Sequence, residues 1–311
     1  MQTLTLRQIE TLQAVGTAGS LVAAAAQLNM TPAALTARIK ALEETVGLPL
    51  FDRTPAGLRP NMAGDIALEA ARKIENAIRE FREKMEVVRT GKGGRLSVGV
   101  VSTAKYFAPR LISAFTQEFP GVDFRLTIGN RDATMEALRR FEVDVALTGR
   151  PPNDIPTQRY PIGAHPYVLV APPSHRLAGG ISLSKSLLAG ETFLFREEGS
   201  GSRSLFDYFI GDIAVQRAQI GIELGSNETI KQAVMAGLGI ALISAHTIAA
   251  EIADGRLVTL DVTGLPIIRH WYVLHRTDRD LSPTALAFRN FAQERCAHFL
   301  PRLHPPRVET P

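Results

Sequence analysis

The segment with the densest chemical potential is Arg196, Glu197, Glu198, Gly199, Ser200, Gly201, Ser202 and Arg203, set between an apolar run and a helical one. Gly199 and Gly201 let backbone amides turn toward an anion, and Ser200 and Ser202 add hydroxyl donors. The helix start adds partial positive charge, and Arg203 can close on a phosphate. A surface loop held by its capping serine fits the same spacing equally well. Weaker clusters follow other strand-like runs: Ser102, Thr103 and Lys105; Gly149 and Arg150; Ser226, Asn227, Glu228 and Thr229 opening a helix. Asn130 and Arg131 after Gly129 can join them, although Arg131 also suits an exposed structural role. Serine or threonine at a helix start is by itself a plain N-cap. Together these clusters fall at the carboxyl ends of predicted strands, and Lys105, Arg150, Arg196 and Arg203 on one face would suit a small molecule with more than one phosphate or carboxylate.

A second kind of chemistry is spread over Leu6 to Asn61. Apolar residues recur at helical spacing through Leu6, Ile9, Leu12 and Val15, Ser20 caps the run Leu21 to Leu28, and Thr31 with Pro32 starts a further helix. Leu35, Ile39, Leu42 and Val46 form its buried stripe, which leaves Thr31, Pro32, Thr36, Arg38 and Lys40 on or near outer faces suited to a DNA major groove. Two extended pieces flank Thr54 to Gly57, with Arg53 and Arg59 at the shoulders, and read as a hairpin wing whose guanidinium groups meet phosphates. A small helical domain for protein contacts is the plainer alternative.

These groups need elements to hold them. After Asn61, apolar residues from Ala63 to Val88 recur every three or four positions, giving one long helix of roughly 39 Å with a single seam suited to a partner helix. Gly91, Lys92, Gly93 and Gly94 form a linker. Strand-like and helical runs then alternate, and this βαβ pattern predicts a mainly parallel, buried sheet. The fold class is therefore α/β with an N-terminal, helix-rich winged helix-turn-helix (1–62), a long linker helix (63–90) and a two-lobed α/β domain (91–300). Lobe I spans about 95–165 and 269–300 and lobe II about 166–268, with a cleft between strand ends. The tail, 301–311, is expected to be poorly ordered. Pro151 to Pro161 and Ala178 to Ser184 give no clear signal.

The bulk composition narrows the function classes. The chain has 311 residues, 45% of them apolar, enough for several cores, and its net charge of +4 agrees with a polyanionic partner without requiring one. Cys296 is the one cysteine, so no internal disulfide and no thiolate metal site is expected. Met1 to Glu10 lacks an export signal and no apolar run reaches spanning length, so a cytoplasmic location without membrane insertion is expected. There is no His-x-x-x-His pair, no Gly-x-Ser-x-Gly elbow and no Walker loop, which argues against an enzyme acting on a sugar phosphate. The absent export signal and the N-terminal helices argue against a solute receptor. His165 and His175 read as surface or packing residues, and His246 as lying near a helix start.

The helix pair and wing resemble the winged helix-turn-helix of the LysR-type transcriptional regulators, through Ala24 to Leu28, Thr31 to Ile39, Leu42 with Glu43, Gly47, Leu50 to Arg53, and Ala63 with Gly64. The family often has glutamine where this chain has Pro32, so direct base readout falls mainly to Arg38, Thr36 and Lys40. Val100 to Pro109, Gly129 to Arg131, Gly149 to Pro152, Gly190 to Arg196, Gly199 to Arg203 and Gly225 to Gly239 further resemble the branch of the family that regulates Calvin-cycle carbon-fixation operons. This resemblance covers most of residues 5 to 295. It implies an effector domain like a periplasmic binding protein, a homodimer or homotetramer on promoter DNA, and RNA polymerase as a partner. It also implies activation of ribulose-bisphosphate carboxylase genes in response to ribulose bisphosphate, phosphoenolpyruvate or NADPH, with no enzymatic cofactor. A regulator of another operon with a different anionic effector remains the alternative.

Overall fold

The computed structural model describes residues 4–18, 20–54, 57–90, 93–211 and 221–303. The wing tip at 55 and 56, linker positions 91 and 92 and the tail beyond 303 lie outside the described residues. So do the side chains at 53, 80, 83, 84 and 86–90. The chain divides into two compact units, Met1–Thr90 and Gly91–Pro311.

The first unit begins with α1 (Leu6–Ala18), α2 (Leu21–Gln27) and α3 (Pro32–Val46). Local chemistry sets their ends. Ser20 Oγ accepts from the Ala23 N–H at 3.1 Å, and Thr31 Oγ1 accepts from the Ala34 N–H at 3.2 Å. Pro32 stands in the first helical turn, where its missing N–H costs nothing, and Gly47 closes α3 at φ 83°. Ile9, Leu12, Val15, Ala24, Leu35, Ile39 and Leu42 make one buried cluster with Leu50, Leu68 and Ala71. The wing, β1 (Phe51–Thr54) antiparallel to β2 (Gly57–Pro60), is tied to this core by Glu43. Glu43 Oε1 accepts from the Leu50 N–H at 2.7 Å and the Phe51 N–H at 3.3 Å. The long helix α4 (Met62–Thr90) follows, about 43 Å by its rise per residue. Its start is capped by Asn61, whose Oδ1 accepts from the Gly64 N–H. Gly64 is required there, because a Cβ would sit 2.1 Å from the Leu50 carbonyl oxygen.

The second unit is two-lobed. In lobe I, β3 (Arg95–Val101) runs parallel to β4 (Asp123–Gly129) and β5 (Val145–Thr148), packed by α5 (Ala108–Glu118), α6 (Arg131–Arg139) and α10 (Pro283–Phe299). Phe107, Phe115, Trp271 and Phe288 fill its core. Lobe II holds β7 (Phe193–Arg196) parallel to β8 (Gly221–Leu224), with α7 (Gly201–Ile210), α8 (Asn227–Met235), β9 (Ala241–Ser244), α9 (Ala249–Ala253) and β10 (Val258–Leu260). Two apolar clusters, one around Phe193, Phe206 and Phe209 and one around Leu194, Ile230 and Val234, build it.

The expectation of a mainly parallel sheet is corrected. The large sheet runs β10-β6-β11-β5-β3-β4, with β9 also on β6, where β6 is Thr157–Ala171 and β11 is Ile267–Arg276. Every pairing of β6 and β11 is antiparallel. The reason is topological: β6 carries the chain from lobe I into lobe II and β11 brings it back, so the two crossings run in opposite directions and pair with each other. This also explains why residues 157–161, which give no strand signal, are strand. Pro161, Gly163 and Pro166 oppose strand propensity locally, and the register of β11 along β6 overrides them.

Candidate functional site

In the first unit, α3 presents Thr31, Pro32 and Lys40 exposed, with Thr36 and Arg38 half-buried. Thr36 Oγ1 donates to the Pro32 carbonyl at 2.9 Å, so its hydroxyl proton is already used while its methyl stays available for contact. Lys40 lies 3.9 Å from Glu44 across one exposed helical turn, a pairing too weak to hold it from a phosphate. Arg59 is exposed on β2, and Thr54 Oγ1 donates to the Gly57 carbonyl, closing the wing turn. The Arg53 side chain lies outside the described residues.

In the second unit a cleft of about 540 Å³ opens between the lobes. From lobe I it is lined by Ser102, Thr103, Asn130, Arg131, Thr148, Gly149 and Arg150, and from lobe II by Ser200, Gly201, Ser202, Ser204 and Tyr208. The crossing strands contribute His165, Tyr167, Ile268, Arg269, His270 and Tyr272. Arg131, Arg150 and Arg269 bring positive charge, and no carboxylate stands among the described lining residues. Ser200 holds the N-cap position of α7, but its hydroxyl makes no capping bond. The first amides of α7 and the hydroxyls of Ser200 and Ser202 are therefore grouped at one wall. Tyr167, buried and hydrogen-bonded to Ser202, has its phenol pushed up to about 12 by burial and stays neutral.

His165 forms the floor. Its ring stacks on Trp271 with centroids 3.9 Å apart, and its Nε2 lies 3.0 Å from Ser244 Oγ. Burial, then the neighbouring His246, hold it well below the ordinary histidine range. Burial likewise brings His246 to about 4, and His246 Nδ1 accepts from the Trp271 indole at 3.0 Å. Both rings are neutral at pH 7, so neither adds to the positive charge that Arg131, Arg150 and Arg269 bring. Gly149 can only be glycine here, since a Cβ would sit 2.6 Å from His165 Nδ1.

Seven of the sequence-derived candidates do not line the cleft. Arg203 is turned away, with Nε 2.9 Å from Asp207, Nη1 2.8 Å from Glu223 and its guanidinium over the Phe195 ring. Arg196 is buried behind the wall, gripped by Glu197 at 2.6 and 2.7 Å. Lys105 pairs with Glu228 at 3.1 Å, and Glu228 also takes Lys231 and the Tyr106 hydroxyl. Burial works to raise the Glu228 carboxyl, but the bonds from Tyr106, Lys231 and Lys105 outweigh it and hold it at about 2. Ser226 Oγ accepts from the Thr229 N–H, and its hydroxyl also meets that of Thr229. Asn227 bonds to Arg196 and Thr103. Of these, Lys105, Arg196, Asn227 and Glu228 join the lobes beside the cleft, while Arg203, Ser226 and Thr229 bond within lobe II. Conversely, Arg269, His165, Tyr167, Tyr208 and His270 were absent from the sequence-derived site. The available signal was Arg269-His270 interrupting the apolar run of β11.

A helix-turn-helix with a wing, followed by a two-lobed ligand-binding unit, defines a ligand-responsive DNA-binding regulator. Residues 6–65 match the family described as bacterial regulatory helix-turn-helix protein, lysR family, and residues 89–297 match the LysR substrate binding domain. The chain belongs to the LysR family and is a DNA-binding transcriptional regulator, not an enzyme. It is 45% identical over 306 residues to the HTH-type transcriptional regulator CbbR of Rhizobium meliloti (strain 1021), covering 98% of each chain. It is 38% identical to the RuBisCO operon transcriptional regulator of Allochromatium vinosum, covering 96% of this chain and 99% of that one. The solved regulatory domain of CcmR from Synechocystis PCC6803, in complex with 2-PG, is 35% identical at a TM-score of 0.60, covering 64% of this chain and 96% of that chain.

Proposed function

We propose that this regulator controls a carbon-fixation operon and that a phosphorylated metabolite, held in the interlobe cleft, sets its activity. The observation that carries the ligand class is the cleft lining: three arginines, a helix start whose Ser200 hydroxyl makes no capping bond, the neutral His165 and no carboxylate among the described lining residues. A site of this composition has donors to offer and no anionic acceptors, which favours phosphate or carboxylate oxygen. Ser102, Thr103, Asn130, Arg131, Gly149, Arg150, Ser200, Gly201, Ser202 and Arg269 form the ligand-binding set. Ribulose bisphosphate, phosphoenolpyruvate, NADPH and 2-PG are the ligands to test. The relatives named for CbbR and for a RuBisCO operon support the operon.

On DNA, Thr31, Pro32, Thr36, Arg38 and Lys40 face the major groove while Arg53, Thr54 and Arg59 of the wing meet the backbone. The protein acts in the cytoplasm as a homodimer or homotetramer, through apolar residues exposed along α4, including Ile66, Phe81 and Met85, and engages RNA polymerase as an activator. The test is capture of genomic DNA fragments by the full-length protein with and without each ligand, followed by sequencing. Enrichment of a carbon-fixation promoter that changes with a phosphorylated ligand supports the proposal. Enrichment of a different promoter discards the operon, and a pattern unaltered by every ligand discards the effector class.

A further inference from the structure

We propose that Arg196 and Asn227, which do not line the cleft, are positioning residues that lock the hydroxyls of Ser102 and Thr103 as donors pointing into it, so that this wall favours the acceptor oxygens of an oxyanion. The inference rests on the reading of the cleft as an anion site and specifies how one wall of it recognises the anion.

The polarity begins with Arg196. A guanidinium donates and never accepts. Glu197 fixes its orientation, with carboxylate oxygens 2.6 Å from Nε and 2.7 Å from Nη2. The remaining nitrogen, Nη1, donates to Asn227 Oδ1 at 3.0 Å and more weakly to Ser102 Oγ at 3.4 Å. With its oxygen committed to Arg196, Asn227 has its amide nitrogen facing Thr103 and donates to Thr103 Oγ1 at 3.2 Å. Each hydroxyl carries one proton and two lone pairs. Both hydroxyls therefore spend a lone pair on lobe II and keep their proton. Among the described residues neither donates to a protein acceptor, and both residues line the cleft.

Burial makes this polarity rigid. Arg196 is 4% exposed and Asn227 3%, so reversing the amide would face donor against donor where no water compensates. A hydroxyl that accepts from a charged donor also becomes a better donor itself. An ionised phosphate or carboxylate offers strong acceptor oxygens to both donors, whereas a protonated acid offers weaker ones. Because Ser102 and Thr103 come from lobe I and Arg196 and Asn227 from lobe II, a ligand that strengthens these bonds also strengthens the junction of the lobes, and the effect is reciprocal.

Titration calorimetry on the full chain, with 2-PG and inorganic phosphate as separate probes, tests this through a double-mutant cycle. In Asn227→Asp the new carboxylate captures the Thr103 proton. Thr103→Val removes that proton outright. Each single variant is expected to weaken binding about tenfold, and the double variant to be within about twofold of the weaker single, because both act on one proton. Asn227→Ala frees the hydroxyl without capturing it and falls between wild type and Asn227→Asp. Losses that multiply to about a hundredfold would show that Asn227 acts independently of Thr103, and would overturn the relay alone. If Asn227→Asp fails to fold, judged by thermal unfolding, the same cycle is run with Asn227→Ala. Wild-type protein that binds neither probe overturns the anion reading, and the relay with it.

Discussion

The starts of α7 and α8 look alike in sequence, each a strand end followed by a serine-led polar cluster, yet the structure uses them in opposite ways. At α7, Ser200 leaves its hydroxyl out of the cap, and Ser200, Gly201 and Ser202 line the cleft. At α8, Ser226 caps the helix, Asn227 bonds to Arg196 and Thr103, and Glu228 is gripped by Tyr106, Lys105 and Lys231. One start leaves its N-cap hydroxyl out of the cap, while the other spends its polar groups on capping and on joining the lobes. A helix start is a ligand site only where the fold leaves its donors unsatisfied, and that condition is invisible in a capping motif.

Four measurements can break or sharpen this contrast. The largest effect is expected from Arg196→Ala, which strips a buried guanidinium from Glu197 and Asn227 and should cost about 3 kcal/mol in urea unfolding. A loss below about 1 kcal/mol would mean that the α8 side is not built for structure. Next, Ser226→Ala should cost about 1 kcal/mol of stability and leave phosphate affinity within about twofold. Ser200→Ala should do the reverse, weakening affinity about fivefold while shifting stability by less than about 0.5 kcal/mol. Equal behaviour of the two serines would erase the distinction.

Arg203→Ala follows in size. Its partners Asp207 and Glu223 are both more than half exposed, so a loss of under about 1 kcal/mol is expected, with ligand affinity unchanged. Weakened phosphate binding would return Arg203 to the cleft. The smallest effect concerns Glu228. Its carboxyl sits at about 2 against an ordinary 4.5, so the stability it contributes is present above pH 4.5 and lost as pH falls toward 2. His246, depressed from 6.5 to about 4, contributes stability that is present above pH 6.5 and lost as pH falls through 4. Urea midpoints across pH should therefore begin to fall below 6.5. Glu228→Gln should flatten the curve only below 4.5, and flattening that starts at 6.5 would assign the acid response wrongly.

Much of the fold was legible because its signals are short-range. Ser20, Thr31, Asn130 and Ser226 cap the helices that their spacing announces, with each cap reaching only three residues ahead. The apolar stripe Leu35, Ile39, Leu42 is buried as its period requires. The cleft was legible only in part. Ser102, Thr103, Asn130, Gly149, Arg150 and Ser200 to Ser202 line it, while Lys105, Arg196 and Arg203, attractive because cationic, are committed elsewhere. Arg269 sits in mid-strand with no glycine or cap to mark it, and becomes a lining residue only through the pairing of β11 with β6.

The amino-acid sequence alone determined the helix-turn-helix, its wing, the long helix and the alternation of the second unit, because caps, turns and hydrophobic period depend on neighbours a few residues away. Tertiary structure alone decided which polar groups are free to meet a ligand. Arg196 reaches Ser102 across 94 residues and Asn227 reaches Thr103 across 124, and no local pattern encodes which partner a donor will find at that separation.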